Sequence, residues 1–292
     1  MNDDIERSRR RISRRRALTL GGAVGLGGVL TACASDSSSG SPTVTPPTST
    51  ATSAPTGAGS TVADLLARAP QCALSKEETQ GPYWFDVDSI RSDLREDRPG
   101  TTFVLALRVQ DGAECAVDPS AGGIANAVVE IWHCDAGGVY SGFESGSSSG
   151  PGGGPPPGGG GQPGASGETS DGSYSSGDQE ATPTDDGTYL RGAQTTDANG
   201  IAQFTTIFPG WYPGRAAHIN LKVHVDRKTV LTSQLYFEEV LLDEVYATTP
   251  YNSHVGSRTT NASDNIYDAT GLVATAATAD GYLGAINLAV DQ

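Results

Sequence analysis

Phe208-Pro209-Gly210-Trp211-Tyr212-Pro213-Gly214-Arg215-Ala216-Ala217-His218-Ile219-Asn220-Leu221-Lys222-Val223-His224-Val225 reads as two halves. In the first, Pro209, Gly210, Pro213 and Gly214 punctuate a tight, irregular loop. In the second, Ile219, Leu221, Val223 and Val225 alternate with polar residues, the period-2 pattern of a half-buried strand. A Trp-Tyr loop thus feeds a strand whose polar face carries His218, Asn220, Lys222 and His224. The plain account of any one of these residues is an aromatic turn followed by an edge strand with a solvated face. A phenol, a guanidinium and an imidazole within seven residues also make a candidate site.

Outward from this run, the same alternation marks strands at Thr102–Val109, Ala127–Trp132, Ile201–Phe208 and Val230–Phe237. Asp64–Ala69 and Leu241–Val245 read as short helices. Short strands broken by turns, without a long amphipathic helix, predict an all-β sandwich. Trp84 and Phe85, in an aromatic knot after Gly81-Pro82-Tyr83, read as core. Residues 145–187 interrupt the pattern. The run from Gly150 to Gly164 is nearly pure Gly and Pro, which neither helix nor sheet tolerates, so this segment reads as a disordered loop insertion.

The N-terminus is of another kind. Seven arginines between Arg7 and Arg16 precede a weakly apolar run, Leu18–Leu30, that is too short for a membrane span. Ser13-Arg14-Arg15-Arg16-Ala17-Leu18 resembles a twin-arginine export signal, and Leu30-Thr31-Ala32-Cys33 resembles a bacterial lipobox. Residues 1–33 are therefore expected to be a signal. The expected location is the outer face of the bacterial cytoplasmic membrane, held only by a lipid on Cys33. Residues 34–61, rich in Ser, Thr and Pro, read as a flexible tether, and residues 62–292 as the folded β domain. The formal net charge is −15, and removing residues 1–32, with seven arginines and three acidic residues, leaves −19. That argues against nucleic acid or an anionic membrane surface as partner. Cys72, Cys115 and Cys134 allow one bridge and one free thiol; Cys115–Cys134 is favoured, because both flank one expected hairpin.

Several motifs, in order, resemble the intradiol ring-cleavage dioxygenases, the family of catechol and protocatechuate dioxygenases. They are Thr79-Gln80-Gly81-Pro82-Tyr83, Arg91-Ser92-Asp93, Val129-Glu130-Ile131-Trp132 and Gly138-Val139-Tyr140. Arg191-Gly192, Thr195-Thr196-Asp197, Pro209-Gly210-Trp211-Tyr212, Arg215-Ala216-Ala217-His218-Ile219 and Gln234-Leu235-Tyr236-Phe237 complete the series. The match spans roughly residues 72–240 and is nearest the secreted lipoprotein branch. The resemblance implies a non-haem Fe(III) held by two tyrosinates and two histidines. The matching positions here are Tyr140, Tyr212 and His218, with Asn220 where the family has its second histidine. A hard ferric ion suits phenolates, and imidazole is a common further ligand. Residues 218 and 220 share a strand face, so both can address one ion, although an amide is a weaker donor than imidazole. His224, six residues beyond His218, is roughly 20 Å away along a strand at ~3.3 Å per residue, and reads as a face or surface residue. His133 reads as structural, and His254 carries no signal.

The resemblance further implies a catechol-type diol and O2 as substrates. Tyr212 would leave the metal and accept a substrate proton, and Tyr140 would stay bound. Arg215 would stabilise charge developing on the ring, and Gln234 would support it. The ring would open between its two hydroxylated carbons to a muconate-type diacid. The competing reading is a binding module: the same sandwich as an iron-free or weakly iron-binding, lipid-anchored carrier of aromatic ligands. Asn220 favours that reading; Tyr140, Tyr212, Arg215 and Gln234 together oppose it. A homo-oligomer is compatible with the sequence.

Overall fold

In a computed structural model of the chain, residues 60–117, 122–144, 174 and 178–291 are described. Cys33, the signal and tether, and the Gly/Pro run 150–164 lie outside them. Among the described residues, no helix is long and apolar enough to cross a membrane.

The strands are β1 (Thr102–Asp111), β2 (Val128–Trp132), β3 (Arg191–Thr195), β4 (Ile201–Ile207), β5 (Ile219–Val225), β6 (Lys228–Leu235), β7 (Ala274–Thr278) and β8 (Gly281–Val290). They form two four-stranded sheets, ordered β4-β1-β8-β7 and β3-β2-β5-β6. All neighbours are antiparallel except β1 and β8. The helices are α1 (Val62–Arg68), α2 (Gly112–Val117) and α3 (Glu239–Tyr246). The fold is the expected all-β sandwich. Phe103, Leu105 and Leu107 of β1, and Ile286 and Leu288 of β8, meet Val129 and Ile131 of β2 and Ile219, Leu221 and Val223 of β5 in one buried core.

All five strands read from periodicity form, with ends shifted by up to two residues. Strands β3, β7 and β8 were not foreseen. Arg-Gly-Ala-Gln-Thr and Ala-Thr-Ala-Ala-Thr lack the large apolar alternation that marks a strand, and become strands by pairing with β2 and β8. Helix α1 has a capping box: Thr61 Oγ1 accepts from Asp64 N at 3.2 Å, and Asp64 accepts from Thr61 N at 2.9 Å.

Three expectations are corrected. The bridge is Cys72–Cys115, and Cys134 is a buried free thiol. The residues around Cys72 lie along β8, with Ser75 N donating to Ala289 O, and this brings them to α2, which carries Cys115. Cys134 turns inward instead, beside Trp132 and Tyr140.

Second, His224 is not a face or surface residue: β5 is an inner strand with a buried polar face, so the plain solvated-edge account fails too. His218, Asn220, Lys222 and His224 are all at most 3% exposed. Lys222 and His224 are covered by Trp84, Tyr174 and Asp178, whereas His218 meets Tyr140 and Tyr212, and Asn220 meets Tyr140. Trp84 Nε1 donates to Glu130 at 2.9 Å, and Lys222 Nζ stands 3.3 Å over the Trp84 ring. His224 is therefore a core residue, 3.6 Å from Glu130 and 3.1 Å from Thr229 Oγ1.

Third, the described end of residues 145–187 is packed. Lys222 Nζ and Thr229 Oγ1 both donate to Asp178 at 2.6 Å, and Ala181 N donates to Trp84 O at 2.7 Å. Tyr174 is buried against the His224 ring. The Gly/Pro composition stops at Gly164, and the polar residues beyond it carry partners for a buried lysine.

Candidate metal centre

Two loops and one strand end build the site. The first loop follows β2. Asp135 shapes it, its Oδ1 accepting from Gly137 N at 2.9 Å and Val139 N at 3.0 Å, and this turn presents Tyr140. The second loop, 209–214, presents Tyr212. The loops touch through glycine. A Cβ at Gly210 would stand 2.1 Å from Asp135 O, and one at Gly138 would stand 2.4 Å from Trp211 O. Gly138 also has φ +84°, which an L side chain rarely adopts. The two phenols can approach one another only because neither contact carries a side chain.

His218 leads into β5. Its Nδ1–H donates to Ala216 O at 2.7 Å, leaving the Nε2 lone pair directed at the loops. Tyr140 Oη and Tyr212 Oη each lie 3.4 Å from that Nε2. This spacing is loose for hydrogen bonds. Donors held roughly 2.0–2.1 Å from a common ion, at right to tetrahedral angles, stand roughly 2.9–3.4 Å apart. The three atoms fit a metal through an imidazole and two phenols. Among the described residues, no group of three or more His, Cys, Asp and Glu is placed to hold one.

Asn220 completes the cluster in an unexpected sense. Its Nδ2 donates to Trp132 O at 3.3 Å and to Tyr140 Oη at 3.1 Å. The amide thus offers its nitrogen to the phenol, and an oxygen ligand there requires the amide to turn. Strand register sets Asn220 between Trp132 on β2 and Gln234 on β6.

Burial, followed by the neighbouring Tyr212, holds the Tyr140 phenol far above its ordinary range, and burial raises Tyr212 despite the pull of Arg215. Burial, and then Arg215, push His218 down to about 3. All three groups are therefore neutral in the protein alone, and only a concentrated positive charge would draw out the phenolates.

Arg215 stands beside this group. Its Nε donates to Asp264 at 2.9 Å, its Nη2 donates to Gln234 Oε1, and Ala216 N donates to the same Asp264 oxygen at 2.8 Å. Gln234 is held by Thr79 O at 3.0 Å, and its Oε1 lies 2.9 Å from Tyr236 Oη. Tyr83 stacks on Tyr140 with ring centroids 4.6 Å apart. Tyr140, Tyr212, His218 and Asn220 thus form one cluster, flanked by Arg215 and Gln234. His133 bridges the sheets, with Nδ1 on Cys134 O and Nε2 on Thr206 Oγ1, both at 2.8 Å. It is structural, as expected. Asp264, the anchor of Arg215, had no signal in a polar segment rich in turns. The role of Tyr83 needed a contact across the fold.

No family model and no curated protein matches this sequence. Solved structures do match. The intradiol ring-cleavage dioxygenase from Tetranychus urticae superposes with a TM-score of 0.60 at 28% identity, over 75% of this chain and 95% of that one. The fold is that of the intradiol ring-cleavage dioxygenases. A second crystallised dioxygenase superposes at 0.59 with 28% identity, over 76% of this chain and 95% of its own. Within this intradiol fold, the paired-phenol cluster lies between the loops after β2 and before β5.

Proposed function

We propose that this chain is a non-haem Fe(III) dioxygenase that opens the ring of a small catechol-type diol, using O2, between its two hydroxylated carbons. The observation that carries this reading is the approach of Tyr140 Oη and Tyr212 Oη, each at 3.4 Å, to the free Nε2 of His218. Tyr140, Tyr212 and His218 would hold the ion, with Asn220 beside them. When bound, the ferric ion supplies a Lewis-acidic centre that favours the deprotonated diol and prepares its ring for oxygen.

The chain's own groups do the remainder. Ala216 O fixes the His218 tautomer and keeps Nε2 turned to the site. Asn220 donates to Tyr140 and Tyr83 stacks on it, so Tyr140 is the more firmly held phenol. Tyr212 belongs to loop 209–214, which is buried through Tyr212 and exposed at Gly214, and its Oη, as the phenolate the ion would draw out, would accept a substrate proton. Arg215, held by Asp264 and Gln234, keeps a positive charge beside Tyr212, where negative charge develops on the ring. Export by the twin-arginine route and a lipid on Cys33 belong to the same proposal.

The second reading is the aromatic-ligand binding module, favoured by the Asn220 amide nitrogen facing Tyr140. The test is to purify the chain with ferric iron, measure its iron content and visible tyrosinate-to-iron absorption, and follow catechol in the ultraviolet. A coloured protein with stoichiometric iron that consumes catechol supports the enzyme. A parent and an Asn220→His variant that both refuse iron leave the binding module.

A further inference from the structure

Loop 209–214 and the residues just beyond it are backed by one distant segment. The His254 ring stacks on Trp211 at 4.0 Å between centroids and 8° between planes. Gly256 runs beneath the outer edge of the same indole, where a Cβ would stand 3.2 Å from Trp211 Cη2. Thr259 Oγ1 accepts from Gly214 N at 3.0 Å. Asp264 accepts from Arg215 Nε and Ala216 N. His254 also abuts the other phenol loop, because a Cβ on Gly138 would stand 3.1 Å from His254 Cε1.

The backing segment is itself braced. Arg258 pairs with Asp243 at 2.6 Å and with Glu239, both on α3. Asn261 N donates to Glu239 at 2.6 Å, and Asn261 Nδ2 donates to Phe237 O at 2.8 Å. The contacts at 214 to 216 are hydrogen bonds to this braced body. The contact at 211 is a ring stack, which resists sliding less than a hydrogen bond resists breaking. Tyr212 lies between the two kinds of contact.

We infer that residues 254–264 clamp the Tyr212 loop, with His254 a positioning residue that sets Tyr212 through Trp211. This inference rests on the proposed role of Tyr212. A displaced phenol at this distance from the reacting atoms is costly, since a misplacement of about 1 Å can cost on the order of 100-fold in rate.

The test compares the parent with His254→Ala and His254→Phe in two measurements. The first is hydrogen–deuterium exchange across residues 209–217 in the metal-free full chain. The second is kcat and KM for catechol in the iron-loaded chain. His254→Ala should speed exchange at 209–217 on the order of 10-fold, with the β5 and α3 amides unchanged. It should lower kcat by about 10- to 100-fold and move KM less. His254→Phe, which keeps a flat ring on the indole, should restore the protection and most of kcat. Unchanged exchange in His254→Ala overturns the clamp, and so does a His254→Phe variant that behaves like His254→Ala. A parent that binds no iron refutes the proposed function, while exchange in the metal-free chain still decides the clamp.

Discussion

Asn220 is the residue on which the chemistry turns. In the sequence it occupies the position where the resemblance implies a second histidine. In the fold, its amide nitrogen is committed to Trp132 O and Tyr140 Oη. Asn220→His should therefore add an imidazole on the same strand face and raise iron affinity by at least about 10-fold, the lower end of what supporting residues alone contribute. Iron titration of the two proteins reads this, and equal affinities would mean that another group already fills the fourth position. His133 makes a second prediction. Burial holds its pKa at about 4, against 6.5 when unfolded. The unfolded chain takes up the proton first, so this contribution is complete above pH 6.5 and is lost as pH falls toward 4. It amounts to about 3 kcal/mol at full loss. Urea midpoints measured from pH 7 to pH 4 should fall less steeply in His133→Gln, and identical slopes would remove His133 from the acid response.

At the scale of elements, β5 shows what periodicity can and cannot say. Alternation correctly assigned Ile219, Leu221 and Val223 to the core. It left the other face open to the plain solvated account, and His224 to a face or surface reading, because Lys and His are usually exposed, whereas around Lys222 and His224 that face is covered by Trp84, Tyr174 and Asp178. Lys222 is 1% exposed and its partner Asp178 is 24% exposed. Lys222→Met leaves a carboxylate that can still reach water, so its cost should lie near the low end for a broken buried pair, about 3 kcal/mol. Removing residues 150–164, by contrast, should change the melting temperature little. Thermal melts of the two variants check both statements together. A mild Lys222→Met with a damaging deletion would reverse the assignment of which part of the insertion is packed.

Over the whole molecule, two predictions concern covalent ties. The Cys72–Cys115 bridge closes a separation of 43 residues and pins the entry segment to the end of β1 and to α2. Chain entropy for such a loop gives about 4 kcal/mol. A Cys72→Ser/Cys115→Ser double variant should melt correspondingly lower, and Cys134→Ser should not reproduce that loss. The second tie is the proposed lipid. Cys33→Ala should move the protein from the membrane fraction to the soluble fraction, and a variant as firmly membrane-bound as the parent would refute the anchor.

Wherever the determining signal is local, the chain alone was sufficient. Period-2 runs specified five strands and hence an all-β sandwich. Pro209, Gly210, Pro213 and Gly214 marked a tight loop around Tyr212, although its contact with the Tyr140 loop through Gly138 and Gly210 was visible only in the fold. The resemblance carried by the ordered motifs implied one group of Tyr140, Tyr212, His218, Asn220, Arg215 and Gln234. Tertiary structure decided what depends on partners far away in sequence. These include the cysteine that meets Cys72, the cover on β5, the turn of the Asn220 amide, the anchoring of Arg215 by Asp264 and the stacking of His254 on Trp211. The physical reason is common to all of them. A strand period or a glycine turn is written in neighbouring residues, whereas a side chain's partner is chosen by which segments the closed sandwich brings together.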